Sequence, residues 1–133
     1  MAMVSEVPEY FQQFKQAFFR RDLERFAAVT TDDFVWEQHH GADDELPNGR
    51  TFVGAEATLA EAQRRAETWS GVRYNNVEEQ FTGEMVVQTF DVSGTDSRGQ
   101  TFHVRAVDLY PVRDGKVVAK RTFWKQVSPG PAA

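Results

Sequence analysis

The chain contains no cysteine and only three histidines. Without cysteine there are no disulfides and no thiolate metal sites. With 15 Lys and Arg against 20 Asp and Glu, the sequence also lacks the basic cluster that binding to a phosphate backbone requires. Its first residues lack the features of a secretory signal, and no apolar run approaches the length that spans a bilayer. These absences predict a cytoplasmic protein that binds neither nucleic acid nor membranes.

Aromatic residues, by contrast, are abundant: they make up 13% of the 133 residues, and 11 of them are phenylalanine. A chain of this length is expected to bury a single core. We therefore predict one domain over residues 1–133, in which residues 128–133 form a short flexible tail rich in Pro and Gly.

Apolar residues at helical spacing predict three helices in the first half of the chain. The first covers residues 8–21, and the second begins at Asp22, which is a suitable N-cap. The third covers residues 55–69 and turns its small and apolar residues inward. Glu61 and Arg65, four residues apart on this helix, are predicted to pair on its outer side.

The remaining pattern is that of β-strands, rich in Val, Thr, Phe and Tyr and separated by turn residues. One strand precedes the third helix, and four follow it as a meander of hairpins. This order suits the α+β class, with a strongly bent antiparallel sheet and the three helices over its concave face. Such a sheet encloses a cavity lined by alternate strand residues. The predicted strands are residues 34–39, 72–81, 84–95, 100–112 and 116–127, and residues 41–50 form a loop.

Three segments of the chain resemble a known family. FRRDLERF at residues 19–26 and TDDFVWE at residues 31–37 are similar to the opening of nuclear transport factor 2-like proteins, in their SnoaL-like branch. VDLYPVRDGKVV at residues 107–118 resembles the final hairpin of that branch. The resemblance implies a cone-shaped sheet. It also implies a choice of functions, since the family includes steroid isomerases, polyketide cyclases, dehydratases, epoxide hydrolases and members that only bind or dimerise.

The resemblance implies roles for particular positions. Ketosteroid isomerases use a carboxylate base, a Tyr and a protonated Asp. In this sequence the resemblance places the base at Gln38, the Tyr at Phe14 and the Asp at Asp108. Because a neutral amide is a poor base, that isomerisation would need His39 or His40 in its place. In SnoaL-like cyclases a single Asp is the main acid-base group, and Asp108 is the position that matches it.

The last hairpin gives a geometric prediction that does not depend on family. If residues 113–115 form a three-residue loop, Val112 pairs with Lys116 and Asp108 lies opposite Lys120. Both charges then project from a mainly apolar inner face, where each needs the other or a ligand. In one interpretation Asp108 transfers a proton while Lys120 fixes its ionisation or stabilises an enolate oxygen. In the other, the two form an ion pair with no catalytic part.

The neighbouring histidines at the end of the first strand are a further candidate. Adjacent residues on a strand point to opposite faces, so His39 and His40 are badly placed to chelate one metal ion. By parity with Gln38, His40 is predicted to lie at the pocket mouth, as a third catalytic candidate beside Asp108 and Lys120. Phosphate-binding glycine loops are absent from the sequence, and we expect neither a metal nor a cofactor.

The sequence therefore favours a cofactor-free acid-base enzyme of cyclase, isomerase or dehydratase type, acting on a hydrophobic carbonyl compound through Asp108. The alternative is a non-catalytic ligand-binding or dimerisation module of the same fold. A homodimer is expected through the outer sheet face, which carries Val107, Leu109, Ala119 and Phe123. The residues predicted to bind a small hydrophobic ligand are Phe14, Phe18, Trp36, Gln38, Leu59, Tyr110, Thr122 and Trp124.

Overall fold

The structure, a computed structural model, describes residues 6–39 and 50–126. These residues form three helices and six strands in the order ααββαββββ. The helices are α1 (Glu9–Arg20), α2 (Leu23–Ala28) and α3 (Gly54–Thr68). The strands are β1 (Thr30–His39), β2 (Thr51–Val53), β3 (Ser70–Phe81), β4 (Met85–Thr95), β5 (Thr101–Arg113) and β6 (Lys116–Gln126). The predicted loop at residues 41–50 lies outside the described residues except at its last position.

All the strands belong to one sheet with the order β2-β1-β6-β5-β4-β3. The predicted α+β class and bent sheet are confirmed, with one correction. Strands β1 and β6 pair in parallel, whereas every other neighbouring pair is antiparallel. The parallel pair arises because a helix and a meander separate these strands in the chain, which allows a long crossover between them. Strand β2 was not predicted, since three residues are too few to show an alternating pattern.

Helices α1 and α2 are separated by a sharp change of direction that the local residues explain. Arg21 ends α1 in the left-handed conformation, at a φ of 54°. The side chain of Asp22 then accepts a hydrogen bond from the backbone N–H of Arg25 at 3.2 Å. This contact satisfies one of the free donors at the start of α2, and it confirms the predicted cap.

Helix α3 differs from the prediction on its polar side. Glu61 is only 4% exposed, and its carboxylate accepts hydrogen bonds from both Arg64 and Arg65. The predicted pairing of Glu61 with Arg65 is confirmed, at 3.1 Å, but its predicted location on the solvent side is wrong. The physical reason is that the guanidinium of Arg65 lies over aromatic rings of the interior, which attract a cation, and Glu61 follows it inward.

The hairpin of β5 and β6 has a different register from the predicted one. Its turn consists of two residues, Asp114–Gly115, both with positive φ, as tight hairpins with twisted strands favour. A bulge further along then shifts the pairing, so that Asp108 lies directly opposite Thr122 and not opposite Lys120. Lys120 is nevertheless close to Asp108, because both side chains remain on the concave face.

The outer face of the sheet is less uniform than predicted. Ala119 is only 1% exposed and adds no accessible apolar surface. Val107 and Leu109 are half-buried, and Phe123 is 40% exposed with its ring stacked on His39 at 4.5 Å. Dimer formation through this face remains a prediction.

The core lies between the helices and the concave face of the sheet. Its main cluster is built around Phe11, Phe14, Phe26, Phe34 and Trp36, all at most 1% exposed. A smaller cluster, at the other end of β4 and β5, joins Phe90, Val92, Val104 and Ala106. None of the helices in the described ranges is long and apolar enough to cross a membrane.

Candidate active site

A cavity of about 480 Å³ opens on the concave face of the sheet, bordered by α1 and α3. Its volume is in the range of small-molecule sites, and its walls are mainly apolar and rich in aromatic residues. All three tryptophans of the chain, Trp36, Trp69 and Trp124, lie in these walls. Phe18 from α1 and Phe90 from β4 line other sides. The aromatic content noted in the sequence is thus partly explained by this cavity.

Asp108 is the centre of the polar contacts in the cavity wall. Its Oδ2 atom accepts a hydrogen bond from Lys120 Nζ at 2.7 Å and another from the hydroxyl of Tyr110 at 2.7 Å. Lys120 Nζ also donates to the Tyr110 hydroxyl oxygen at 2.9 Å. The side chain of Asp108 is 1% exposed, and its second oxygen, Oδ1, has no hydrogen-bond partner. One carboxylate oxygen is therefore held by two donors, while the other is buried without a hydrogen-bond partner.

Aromatic rings surround the ammonium group of Lys120. Its Nζ lies 5.0 Å from the ring centre of Phe18, 5.4 Å from Trp36 and 5.1 Å from Tyr110. Ring faces attract a cation most strongly where water is excluded. These contacts, together with Asp108, offset the desolvation of the ammonium group.

The hydroxyl of Tyr110 keeps its proton at all ordinary pH values. Burial, and then the negative charge of Asp108, raise the pKa of Tyr110 well above its usual value. Its single proton is directed to Asp108, since the alternative acceptor, Gln88 Oε1, is further away at 3.4 Å. The Tyr110 phenol is therefore a neutral group in the cavity wall.

Arg65 forms a second charged centre, which the sequence analysis did not assign to the site. Its guanidinium carbon lies 4.8 Å from the ring centre of Trp36, 4.6 Å from Trp69 and 5.2 Å from Trp124. Burial disfavours the ionised form of Glu61. The hydrogen bond from Arg64 and the charge of Arg65 outweigh that effect, so the pKa of Glu61 lies below its usual value. Glu61 thus neutralises a cation at the cavity wall.

Five polar residues follow one another in register across the concave face, and we call them the polar row. The pairings of adjacent strands place Glu79 opposite Gln88, Gln88 opposite Asp108, Asp108 opposite Thr122, and Thr122 beside Gln38. Directly paired residues of neighbouring strands project from the same face. The polar row therefore crosses a surface that is otherwise mainly apolar, and four of its members line the cavity.

Three members of the polar row are held by hydrogen bonds from other side chains, whereas the buried amide of Gln38, at the β1 end, has no hydrogen-bond partner among the described residues. Lys15 Nζ on α1 donates to Glu79 Oε2 at 2.7 Å, and Gln88 Nε2 donates to the same oxygen at 2.8 Å. On the other side of Asp108, the indole N–H of Trp36 donates to Thr122 Oγ1 at 2.9 Å. Glu79, Gln88 and Thr122 are thus held in place by contacts between separate elements of the fold.

The structure brings most of the predicted site residues together. Asp108 and Lys120 line the cavity in mutual contact, although no observation tests their catalytic role. Gln38 and Leu59 do not line it, and their side chains are buried elsewhere, at 0% and 6% exposure. His40 lies outside the described residues. The predicted binding residues found in the cavity wall are Phe14, Phe18, Trp36, Tyr110, Thr122 and Trp124.

The cavity residues that the sequence did not reveal include Arg65, Glu79 and Gln88. The positions of Glu79 and Gln88 follow from the register of β3 and β4, which a bulge in β3 makes hard to predict. In the described ranges, no group of three or more His, Asp or Glu side chains is arranged to hold a metal ion.

A family model described as a SnoaL-like domain matches residues 11–120. The chain therefore belongs to the SnoaL-like domain family. The search of curated proteins found no match.

Solved structures share the fold. An NTF2-like protein from Burkholderia xenovorans LB400 is 24% identical, with a TM-score of 0.75 over 94% of this chain and 93% of that chain. IdmH from Streptomyces antibioticus, a candidate polyketide cyclase, is 23% identical, with a TM-score of 0.63 over 88% and 90%. A protein with a ketosteroid isomerase-like fold from Catenulispora acidiphila DSM 44928, solved with trimethylamine, is 15% identical, with a TM-score of 0.67 over 90% and 88%. At these identities the likenesses establish the fold and not the reaction.

Proposed function

We propose that this chain is a cofactor-free acid-base enzyme that acts on a hydrophobic carbonyl compound and transfers a proton through Asp108. The observation that carries the proposal is the asymmetric environment of this carboxylate. Oδ2 is held by two donors, whereas Oδ1 is buried in a cavity wall with no partner. Buried polar atoms nearly always have a hydrogen-bond partner. An unpaired carboxylate oxygen beside an aromatic cavity is therefore well suited to a proton of the substrate.

The contacts of Asp108 support a specific sequence of events. A C–H bond next to the substrate carbonyl breaks, the proton passes to Asp108 Oδ1, and the electron pair moves onto the carbonyl oxygen to give an enolate. Lys120 has three N–H donors, of which two contact Asp108 and Tyr110. The third is available to the enolate oxygen, where its positive charge stabilises the developing negative charge.

The fate of the enolate determines the reaction class. In a cyclisation its carbon attacks a second carbonyl of the same molecule, and the proton held by Asp108 passes to the new alkoxide. In an isomerisation the proton returns to a different carbon. In a dehydration the enolate expels a β-hydroxyl group, which leaves as water with that proton. The likeness to IdmH supports the cyclisation, and the aromatic walls favour a hydrophobic substrate in each case.

The experiment that tests the proposal measures proton transfer itself and needs no known substrate. The protein is incubated in heavy water with 1,5-diketones and β,γ-unsaturated ketones, and exchange at the carbon next to the carbonyl is followed by NMR. Asp108→Asn is expected to lower the rate at least ~100-fold, as loss of a general base does. The matched control is Asp114→Asn, in the exposed β5–β6 turn, where Asn tolerates the positive φ. Equal rates for Asp108→Asn and the unaltered protein would contradict the proposal.

A second candidate function is ligand binding without chemistry, and Gln38 favours it. This residue stands where the resemblance to ketosteroid isomerases places the base, yet it is a neutral amide and is enclosed away from the cavity. The same NMR experiment separates the two functions. A ketone that binds with micromolar affinity, exchanges no proton and is recovered unchanged would identify a binding module.

A further inference from the structure

The polar row has a second carboxylate at its β3 end, in addition to Asp108. Glu79 lines the cavity, and its side chain is 16% exposed. Its Oε2 atom receives the two hydrogen bonds from Lys15 and Gln88, while its Oε1 atom receives none from the described residues. Glu79 therefore repeats the arrangement at Asp108, with one oxygen held by protein donors and one oxygen open.

The distance between the two carboxylates follows from the sheet. Glu79 and Asp108 lie on β3 and β5, with Gln88 of β4 between them in the same row. Neighbouring strands are about 4.8 Å apart, so the two backbone positions are separated by roughly 10 Å. A molecule that lies across the row in the cavity is thus able to contact both acceptors at once.

Gln88 lies between the two carboxylates in the polar row and is hydrogen-bonded on both sides. Its amide nitrogen donates to Glu79, which turns its carbonyl oxygen towards the Tyr110 hydroxyl. The proton of that hydroxyl is directed to Asp108. The open oxygens of Asp108 and Glu79 therefore receive no hydrogen bond from the described side chains, and each is able to accept one from a donor on the ligand.

We propose that Glu79 is a specificity-determining residue, which accepts a hydrogen bond from a hydroxyl group at the end of the ligand remote from Asp108. The substrate class is then a rigid, hydrophobic carbonyl compound with a hydroxyl group at its far end. This inference rests on the proposed function only for the placement of the reacting end at Asp108. Lys15 and Gln88 act as positioning residues, since they hold the Glu79 carboxylate against the cavity.

The test uses two probes that differ only in a far-end hydroxyl group: 2-naphthol and 2,6-dihydroxynaphthalene. Their dissociation constants are measured by calorimetry with the unaltered protein and with Glu79→Ala. The unaltered protein is expected to prefer the diol by roughly tenfold, as for a hydrogen bond to a charged acceptor. Glu79→Ala is expected to bind both probes equally. The matched control Glu78→Ala removes the adjacent, exposed carboxylate of β3 and should keep the preference.

Equal binding of the two probes by the unaltered protein, or an undiminished preference in Glu79→Ala, would overturn the inference and leave Glu79 as a structural partner of Lys15. If circular dichroism shows that Glu79→Ala does not fold, Glu79→Gln replaces it, with the preference expected to fall at least about threefold for an uncharged acceptor. Because these measurements report binding alone, their outcome is independent of the exchange rates that test Asp108. Failure of one proposal is therefore distinguishable from failure of the other.

Discussion

Replacing Lys120 by Met tests whether the ion pair with Asp108 is a buried, mutually dependent unit. The substitution keeps most of the side-chain volume and removes the charge. Asp108, which is 1% exposed, then keeps only the Tyr110 hydroxyl as a donor. Removing one partner of a buried ion pair costs about 3–5 kcal/mol, because the other charge is left uncompensated. We expect Lys120→Met to lower the free energy of unfolding by about 4 kcal/mol.

The reciprocal change is expected to be milder. In Asp108→Asn the ammonium group of Lys120 remains above the rings of Phe18, Trp36 and Tyr110, at 5.0 to 5.4 Å from their centres. Each such contact is worth about 0.5–2 kcal/mol, so we expect a loss of only about 2 kcal/mol. The double variant removes both charges together. It should be more stable than the sum of the single effects predicts, by about 2–3 kcal/mol.

Equilibrium unfolding in guanidinium chloride at neutral pH, followed by circular dichroism, measures all four proteins. The slope of the transition has to stay constant for the comparison to hold. Two results would refute the reasoning. One is that Lys120→Met lowers the free energy of unfolding by less than about 1 kcal/mol, which is the range of an exposed ion pair. The other is that the two single variants lower it equally. The first would show that the pair is solvated, and the second that the rings do not stabilise the ammonium group.

Three further predictions concern other parts of the molecule. Folding lowers the pKa of Glu61, so this carboxylate stabilises the fold at pH values above its unfolded pKa of 4.5, and the stabilisation is lost as the pH falls through the folded pKa. In Glu61→Gln, the urea concentration at the unfolding midpoint should therefore decline less steeply as the solution is made acidic. A decline as steep as in the unaltered protein would contradict this. Folding raises the pKa of Tyr110, so the protonated hydroxyl stabilises the fold below the unfolded pKa of 10.0, and the stabilisation is lost as the pH rises through the folded pKa. When the tyrosines of the folded protein are titrated with alkali and followed by absorbance, Tyr110→Phe should remove the last step. No change in that step would count against a buried hydroxyl. The homodimer should appear in sedimentation at micromolar concentration and dissociate in Phe123→Glu, whereas a monomeric unaltered protein would exclude it.

Side chains along a strand point alternately to the two faces of the sheet, and this alternation, or parity, allowed the contact between Asp108 and Lys120 to be predicted. The predicted register of the hairpin was nevertheless wrong. The bulge in the last hairpin shifted the directly opposed residue to Thr122 but left both charged side chains on the concave face. Parity is a local property of each strand, whereas register depends on the turn and on bulges, which the sequence shows less clearly. The β1 residue Gln38 shows the limit of this inference, since it has the predicted face but is buried and does not line the cavity.

The role of Arg65 was beyond prediction for a different reason. Helical periodicity assigns charged residues to the solvent side, and it carries no information about what the helix packs against. The three rings around this guanidinium come from β1, from the end of α3 and from β6. Only the folded chain brings them together.

Because every tryptophan lies in the cavity wall, intrinsic fluorescence is expected to report directly on what occupies the cavity. Emission from Trp36, Trp69 and Trp124 arises from that single compartment, with no indole elsewhere in the chain to dilute the signal. An unlabelled library of natural compounds is therefore expected to reveal occupants through changes in intrinsic fluorescence, before any reaction is known. Single Trp→Phe variants would then indicate which wall an occupant touches.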